Sequence, residues 1–185
     1  MTKTLQEKYQ KEAVPALMKK FGYRNALQVP RIMKVVINSG IGKRSSDPAF
    51  AEKILPEIVN SFSRIAGQKP ALTSAKKSIA GFKIRQGQTV GLKATLRGRR
   101  MFDFLTRLIA IALPRARDFR GIDLKSIDKK GNLNIGIKEH IVFPEIDQDV
   151  ARFDFGLEVS IISSAKRREE AKELYTLLGL PLKKQ

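Results

Sequence analysis

The chain has 185 residues, 36 Lys and Arg against 18 Asp and Glu, a formal net charge of +18 and no cysteine. This length fits one domain, and 42% hydrophobic content is enough for a real core; the missing thiols exclude disulfides, cysteine-based zinc sites and thiol nucleophiles, and suit a reducing cytoplasm. Charge of this size opposes compaction unless a partner neutralises it, so nucleic acid or an acidic membrane surface is the expected partner class.

From the N-terminus, no apolar run suggests a signal peptide. Leu5, Tyr9, Ala13, Leu17 and Phe21 recur about four apart and predict an amphipathic helix, with Pro15 as a candidate kink and Gly22 as its stop. Ile32–Ile41 reads as a strand, Val35 and Ile37 facing a core and Lys34, Val36 and Asn38 facing away. Asp47-Pro48 predicts a helix start, and Phe50, Ile54, Leu55, Ile58, Val59, Phe62 and Ile65 then keep helical spacing up to Gly67. Gln68–Ser74 is a short strand candidate. Thr89–Arg97 alternates, with Val90, Leu92, Ala94 and Leu96 on one side and Thr89, Lys93, Thr95 and Arg97 on the other. Arg99–Leu113 predicts a helix stopped by Pro114. Its most apolar part, Met101–Leu113, is too short to span a bilayer and contains Asp103 and Arg107. A polar connection, Arg115–Gly131, leads to strands at Asn132–Lys138 and Phe155–Ile161. Ser163 or Ser164 is expected to open a last helix, Lys166–Leu178, closed by Gly179 and Pro181. The mixture is α+β: one domain over 1–185, an antiparallel sheet with helices on one face and an open, polar face on the other. That open face is expected to include Lys34, Asn38, Thr73, Lys93, Thr95, Arg97, Asn132 and Asn134.

The charge is unevenly spread. Residues 61–120 carry 14 basic and 2 acidic groups, whereas residues 121–185 carry 11 of each. Between Ile58 and Phe102 there is no acid at all. At the centre of that stretch lies a basic loop, residues 76–88, in which Ile79, Phe82 and Ile84 interleave with Lys76, Lys77, Lys83 and Arg85. Apolar groups among cations can pack on riboses or stack on bases; for Phe82 the alternative is an anchor into the core. Thr, Asn, Gln and Arg on a sheet face suit RNA, whose shallow groove offers hydroxyls and base edges, whereas DNA readers more often carry their charge on a recognition helix.

Other motifs are weaker. Gly40-Ile41-Gly42-Lys43-Arg44-Ser45 fails the phosphate-loop pattern, since Ile37 stands where its first glycine belongs. The single histidine, His140, has no partner at a catalytic spacing and reads as a surface or interface residue. Glu139–Glu158 holds six acids against one base, Arg152. It lacks cation-loop spacing and reads as a solvated acidic segment or a contact for a basic protein.

Several ordered blocks resemble one family: Gly67-Gln68-Lys69-Pro70, Lys76-Lys77-Ser78-Ile79-Ala80-Gly81-Phe82-Lys83-Ile84-Arg85, Thr95-Leu96-Arg97-Gly98, Pro114–Gly121, Phe143-Pro144-Glu145-Ile146, and Val35-Val36-Ile37-Asn38 with Gly40 and Gly42. They resemble the bacterial large-ribosomal-subunit protein five family, the 5S rRNA-binding proteins, from about Tyr9 to Pro181. The resemblance implies a helix-covered antiparallel sheet and contacts from Asn38, Gln68, Thr73 and Thr95 to 5S rRNA. It implies a basic loop (Lys76, Lys77, Ser78, Gly81, Phe82, Lys83, Arg85) that reaches the transfer RNA in the peptidyl site. It further implies a place in the central protuberance near 23S rRNA, and a bridge to a small-subunit protein. Phe102 stands where the family usually has tryptophan, and His140 replaces a common glutamine.

The expectation is a non-catalytic, cytoplasmic ribosomal protein, monomeric within the ribosome, with no cofactor, metal or membrane. Lys69, Lys93 and Arg97 would join the sheet-face residues on 5S rRNA, and these cations with those of the loop would supply phosphate contacts and salt dependence. The rivals are an RNA-modifying enzyme, a non-ribosomal RNA-binding protein, and a peripheral membrane binder, the last lacking a strongly cationic amphipathic helix.

Overall fold

Three helical runs carry an internal proline and accommodate it in one way. A computed structural model describes residues 4–45, 47–117, 119–147 and 153–183. The first run is α1 (Leu5–Lys8), a π-helical turn (Tyr9–Ala13) and α2 (Val14–Phe21). The second is a π-helical turn (Phe50–Ile54) running into α3 (Leu55–Ala66). The third is α4 (Gly98–Arg107), a π-helical turn (Leu108–Ala112) and α5 (Leu113–Arg115). Pro15, Pro56 and Pro114 each follow the residue that closes a widened turn. Proline has no N–H to donate, and its ring collides with the carbonyl four residues back. In each run the residue before the proline donates five back instead: Val14 to Tyr9, Leu55 to Phe50, Leu113 to Leu108. The helix therefore passes through the proline. Pro114 does not stop its helix, which ends one residue later at Arg115.

Two predicted helix starts are corrected. The Asp47 carboxylate accepts the Ala49 N–H at 2.9 Å and the Asp47 carbonyl accepts the Phe50 N–H at 3.0 Å. Asp47-Pro48 thus forms a turn, and the helical run begins at Phe50. The last helix, α6, spans Arg168–Leu178 and has no serine cap. Ser163 and Ser164 are committed elsewhere: the Ser163 hydroxyl donates to the Gly131 carbonyl at 2.8 Å, and the Ser164 hydroxyl accepts the Arg31 N–H at 3.0 Å. Glu170 reaches back to the Lys166 N–H at 3.1 Å instead. Gly22, Gly67 and Gly179 close α2, α3 and α6 in the left-handed region, with φ of 70°, 68° and 92°.

The strands are β1 (Ile32–Gly40), β2 (Ala71–Ser74), β3 (Thr89–Leu96), β4 (Leu133–Ile137) and β5 (Leu157–Ser163). They form one five-stranded antiparallel sheet in the order β2-β3-β1-β5-β4. Alternation is kept: Val35, Ile37, Leu92, Ala94, Leu96, Leu133, Ile135, Ile137, Leu157, Val159 and Ile161 are buried.

The chain divides into two compact units. One comprises Met1–Val35, Arg97–Ile135 and Ser160–Gln185. In it α1 packs on α4 and α2 on α6, around Leu17, Phe104, Leu105, Leu108, Leu174 and Tyr175. The expected polar connection Arg115–Gly131 is more structured than its composition suggests. Ile122 and Ile127 are buried there, bridged to Leu182 and Leu133. The other unit comprises Val36–Leu96 and Gly136–Val159. In it α3 packs on β3 around Ile37, Ile58, Phe62, Ile65, Leu92, Leu96 and Phe143. Each such side chain contributes roughly 1.5–3 kcal/mol by leaving water.

Candidate nucleic-acid interface

The face of the second unit turned away from α3 carries the polar residues singled out in the sequence. On β3, Lys93 is exposed and Thr95 and Thr89 are half-buried, while Leu92, Ala94 and Leu96 point to the core. On β1, Asn38 is exposed between buried Ile37 and Ser39. Ser39 is fixed by donating to the Gly156 carbonyl at 2.8 Å. The antiparallel register sets Ala71 opposite Lys93 and Thr73 opposite Gly91, and opposed side chains share a face. Gln68 donates from its side-chain amide to the Thr95 carbonyl at 3.2 Å, which ties the segment before β2 to the end of β3. Asn38, Gln68, Thr73, Lys93 and Thr95 thus lie on or beside one face, with Lys69 exposed ahead of β2. Among the described residues, no carboxylate forms an ion pair with Lys69 or Lys93. Arg97 belongs to the first unit, where it is exposed and extended (φ −140°) directly before α4. Asn132, expected on the open face, is instead part of a turn: its N–H and side-chain amide both donate to Asp128, at 2.8 Å each.

Gly91 is the residue of this face that the alternation pattern hid. A Cβ there would lie 2.7 Å from the Thr73 hydroxyl and 3.1 Å from the Ser39 carbonyl. A glycine inside an alternating strand is the available signal for such close approach.

The basic loop is a hydrogen-bonded arm. Ala75 donates to the Gln88 carbonyl at 2.8 Å and Gly87 to the Ala75 carbonyl at 2.9 Å. Further out, Ile79 and Ile84 exchange N–H···O bonds of 2.9 and 3.2 Å. Ala80–Phe82 form a 3-10 turn, and Lys83 closes it in the left-handed conformation with φ 53°. Side chains brace the base: Ser78 accepts from the Gln86 N–H, Gln88 accepts from the Arg85 N–H, and the Gln88 amide donates to the Ser45 carbonyl. Lys76, Lys77, Ser78, Gly81, Lys83 and Arg85 are all exposed. Phe82 is 72% exposed, so it is not an anchor into the core. Ile84, half-buried and in contact range of Gly42, docks the arm instead.

The glycine-rich segment at residues 40–45 spends three of its amides on backbone carbonyls. Arg44 N–H donates to Ile41, Ser45 to Gly42, and Ile41 to Val90. The Arg44 guanidinium donates to the Asp154 carbonyl at 3.0 Å and lies 5.6 Å from the Phe153 ring centre. Its role here is to hold the 153–154 segment.

His140 is corrected from a surface residue to a buried one, 1% exposed and stacked on Phe155 with ring centres 4.1 Å apart. Burial lowers its pKa, with the Asp154 charge pulling the other way. In the acidic segment Glu139, Asp147, Asp154 and Glu158 are exposed, while Asp149 and Arg152 lie outside the described residues. Among the described residues no three His, Asp or Glu side chains are grouped to hold a metal ion, and no helix is long and apolar enough to cross a membrane.

Fold and composition together define a basic α+β protein built on a five-stranded antiparallel sheet. Residues 25–85 match the family described as ribosomal protein L5, and residues 89–182 match the ribosomal L5P family C-terminus. The large ribosomal subunit protein uL5 of Halothermothrix orenii is 52% identical over 177 residues, covering 96% of this chain and 97% of the relative. The protein of that name from Thermoanaerobacter sp. is 52% identical over 180 residues, covering 97% and 98%. That from Cupriavidus metallidurans is 50% identical over 183 residues, covering 99% of each. The chain belongs to the ribosomal protein L5 family. Its members are structural components and not enzymes, which removes the RNA-modifying alternative.

Proposed function

We propose that this chain is a structural constituent of the large ribosomal subunit in the cytoplasm, holding 5S rRNA on its open sheet face within the central protuberance. The observation that carries the reading is a face bearing Asn38, Gln68, Thr73, Lys93 and Thr95 on a rigid sheet, with cations that no carboxylate pairs among the described residues. Amides and hydroxyls fit the 2′-hydroxyls and base edges of an RNA fold, while Lys69, Lys93 and, from the first unit, Arg97 supply phosphate contacts. The braced arm, with Phe82 and Ile79 exposed at its tip among Lys76, Lys77, Ser78, Gly81, Lys83 and Arg85, suits a second contact, to the transfer RNA in the peptidyl site. The acidic segment 139–158 would meet a basic small-subunit protein in a bridge, and 23S rRNA would lie alongside. In this reading the chain acts as one domain and as a monomer, without cofactor, metal or membrane.

A mobility shift of the purified chain on 5S rRNA, against transfer RNA and a scrambled RNA, tests this at low and physiological salt. Binding to 5S rRNA that survives physiological salt while the competitors are lost is the expected result. Equal binding to all three that vanishes with salt would leave only non-specific charge attraction, and the assignment of the sheet face would fall.

A further inference from the structure

The last third of the chain nets zero charge, but its acids are divided between the two units. Six acids fall in 139–158, all in the second unit, whereas the bases of 129–130 and 166–168 belong to the first, which also holds Asp123, Asp128, Glu169, Glu170 and Glu173. One corner of that first unit is built, not loose. The Gly131 carbonyl accepts both the Ser163 hydroxyl and the buried Tyr175 hydroxyl, each at 2.8 Å. Gly131 has φ 78°, and a Cβ on it would lie 2.9 Å from the Cβ atoms of both Ala165 and Ala171. The 128–132 turn is therefore pressed onto the start of α6, which brings Lys130 and Lys166 to one hollow. Lys130, Asn132, Ser164 and Lys166 line an open hollow of about 520 Å³ there.

Three carboxylates of the first unit, Asp128, Asp123 and Glu170, are turned onto amides and hydroxyls, whereas Glu169 is exposed. Asp128 accepts the N–H groups of Lys130 and Asn132 and the Asn132 side chain. Burial works to raise its pKa, but those hydrogen bonds and the Lys130 charge outweigh it, so Asp128 stays ionised below the usual carboxylate range. Asp123 accepts the Lys125 N–H, and Glu170 takes the Lys166 N–H and the Tyr23 hydroxyl. Arg168 donates to the Leu124 carbonyl, which fixes its guanidinium there. Among the described residues no ion pair neutralises Lys129, Lys130, Lys166 or Arg167. Cations fixed together by a rigid turn repel one another unless a polyanion lies across them.

We propose that this corner is a second phosphodiester-binding surface, which grips the backbone of an RNA segment other than the one on the sheet face. The inference rests on the RNA-binding reading above and adds to it a site made of different residues in the other unit. The Asn132 amide in the hollow is taken up by Asp128 and the Ser163 N–H, so the corner grips backbone without reading bases.

The test uses the full chain with Lys130→Ala, Lys166→Ala and Arg167→Ala combined, titrated separately with 5S rRNA and with a 23S rRNA transcript. A companion variant, Lys130→Arg, Lys166→Arg and Arg167→Lys, keeps the charge. The expected result is a tenfold or greater loss for the 23S transcript in the alanine variant, a salt slope shallower by about two to three, 5S affinity within twofold, and recovery in the charge-keeping variant. Unchanged 23S affinity and slope would overturn the proposal, as would an equal loss for both RNAs. Loss of a basic or acidic protein contact with both RNA affinities intact would overturn it too. If the unsubstituted chain fails to bind 5S rRNA specifically, the sheet-face reading falls, and the 23S titration still decides the corner. Unchanged circular dichroism and thermal midpoint in the alanine variant separate loss of contact from loss of fold.

Discussion

Thr73 and Gly91 face each other across the β2–β3 ladder, and the Thr73 hydroxyl occupies the space a Gly91 side chain would need, 2.7 Å from where its Cβ would stand. The hydroxyl can rotate away, but the Ser39 backbone carbonyl on the other side, 3.1 Å from the same point, cannot. Gly91→Ala should therefore cost about 1–3 kcal/mol of stability, read as a lower urea midpoint with unchanged slope. Adding Thr73→Ala should recover only part of the loss, because the β1 backbone remains. A Gly91→Ala protein as stable as the parent would show that the strands have room to part.

The polar side chains of the open face sit on a sheet whose core lies on the other side, so removing them should leave folding alone. Asn38→Ala with Thr95→Ala is expected to weaken 5S rRNA binding about 30- to 150-fold, the loss of two hydrogen bonds of about 1–1.5 kcal/mol each. Thermal midpoints should stay within about 2 °C, since exposed substitutions away from buried networks change stability little. Filter binding together with a melting curve decides it, and unchanged affinity in a folded protein would sink the sheet-face assignment.

The arm is held by its own hydrogen bonds, so its cations can be removed without disturbing the face. Lys76→Ala with Lys77→Ala should keep 5S rRNA affinity within about twofold, and should weaken transfer RNA placement in reconstituted subunits with a salt slope lower by about two. Ribosome footprints of the transfer RNA provide the readout. Equal loss on 5S rRNA would mean that the arm and the face form one site.

His140 links this fold to pH. Its pKa is lowered in the folded protein chiefly by burial, so between that value and the ordinary value of about 6.5 the unfolded chain binds more protons than the folded one. Its stabilising contribution is complete above about pH 6.5 and is lost as pH falls through the folded pKa. His140→Phe, which keeps an aromatic ring against Phe155, should flatten the decline in urea midpoint between pH 7.5 and 5.5. A decline just as steep in the variant would place the proton uptake on other groups.

How much of this was readable beforehand differs by residue. The strands and their facing were legible because period-two alternation at residues 32–40 and 89–96 leaves little choice of side. Asn38, Lys93 and Thr95 followed from that parity alone. His140 was misread because a lone polar residue amid acids looks solvated, and its stacking on Phe155 depends on a contact 15 positions away in the sequence. Ser163 and Ser164 looked like caps by type, yet their hydroxyls serve the Gly131 carbonyl and the Arg31 amide, partners that local sequence does not announce. The hollow shared by Lys130 and Lys166 was invisible for the same reason: its two sides lie far apart in the sequence.

The widened turns bear on how such helices tolerate insertions and deletions. Leu5, Tyr9, Ala13, Leu17 and Phe21 are spaced strictly by four, a step of about 400° in an α-helix, so such a stripe would drift by about 160° over its length. The Tyr9–Ala13 turn absorbs one residue, about 100° of that drift, and Leu5, Ala13 and Leu17 stay buried together. Deleting one residue within the turn would leave the phase of both flanking segments intact, but it would bring the Pro15 ring against the carbonyl four positions back. Each proline thus acts as a lock on an extra residue: the helix can shed that residue only if the proline is replaced in the same event.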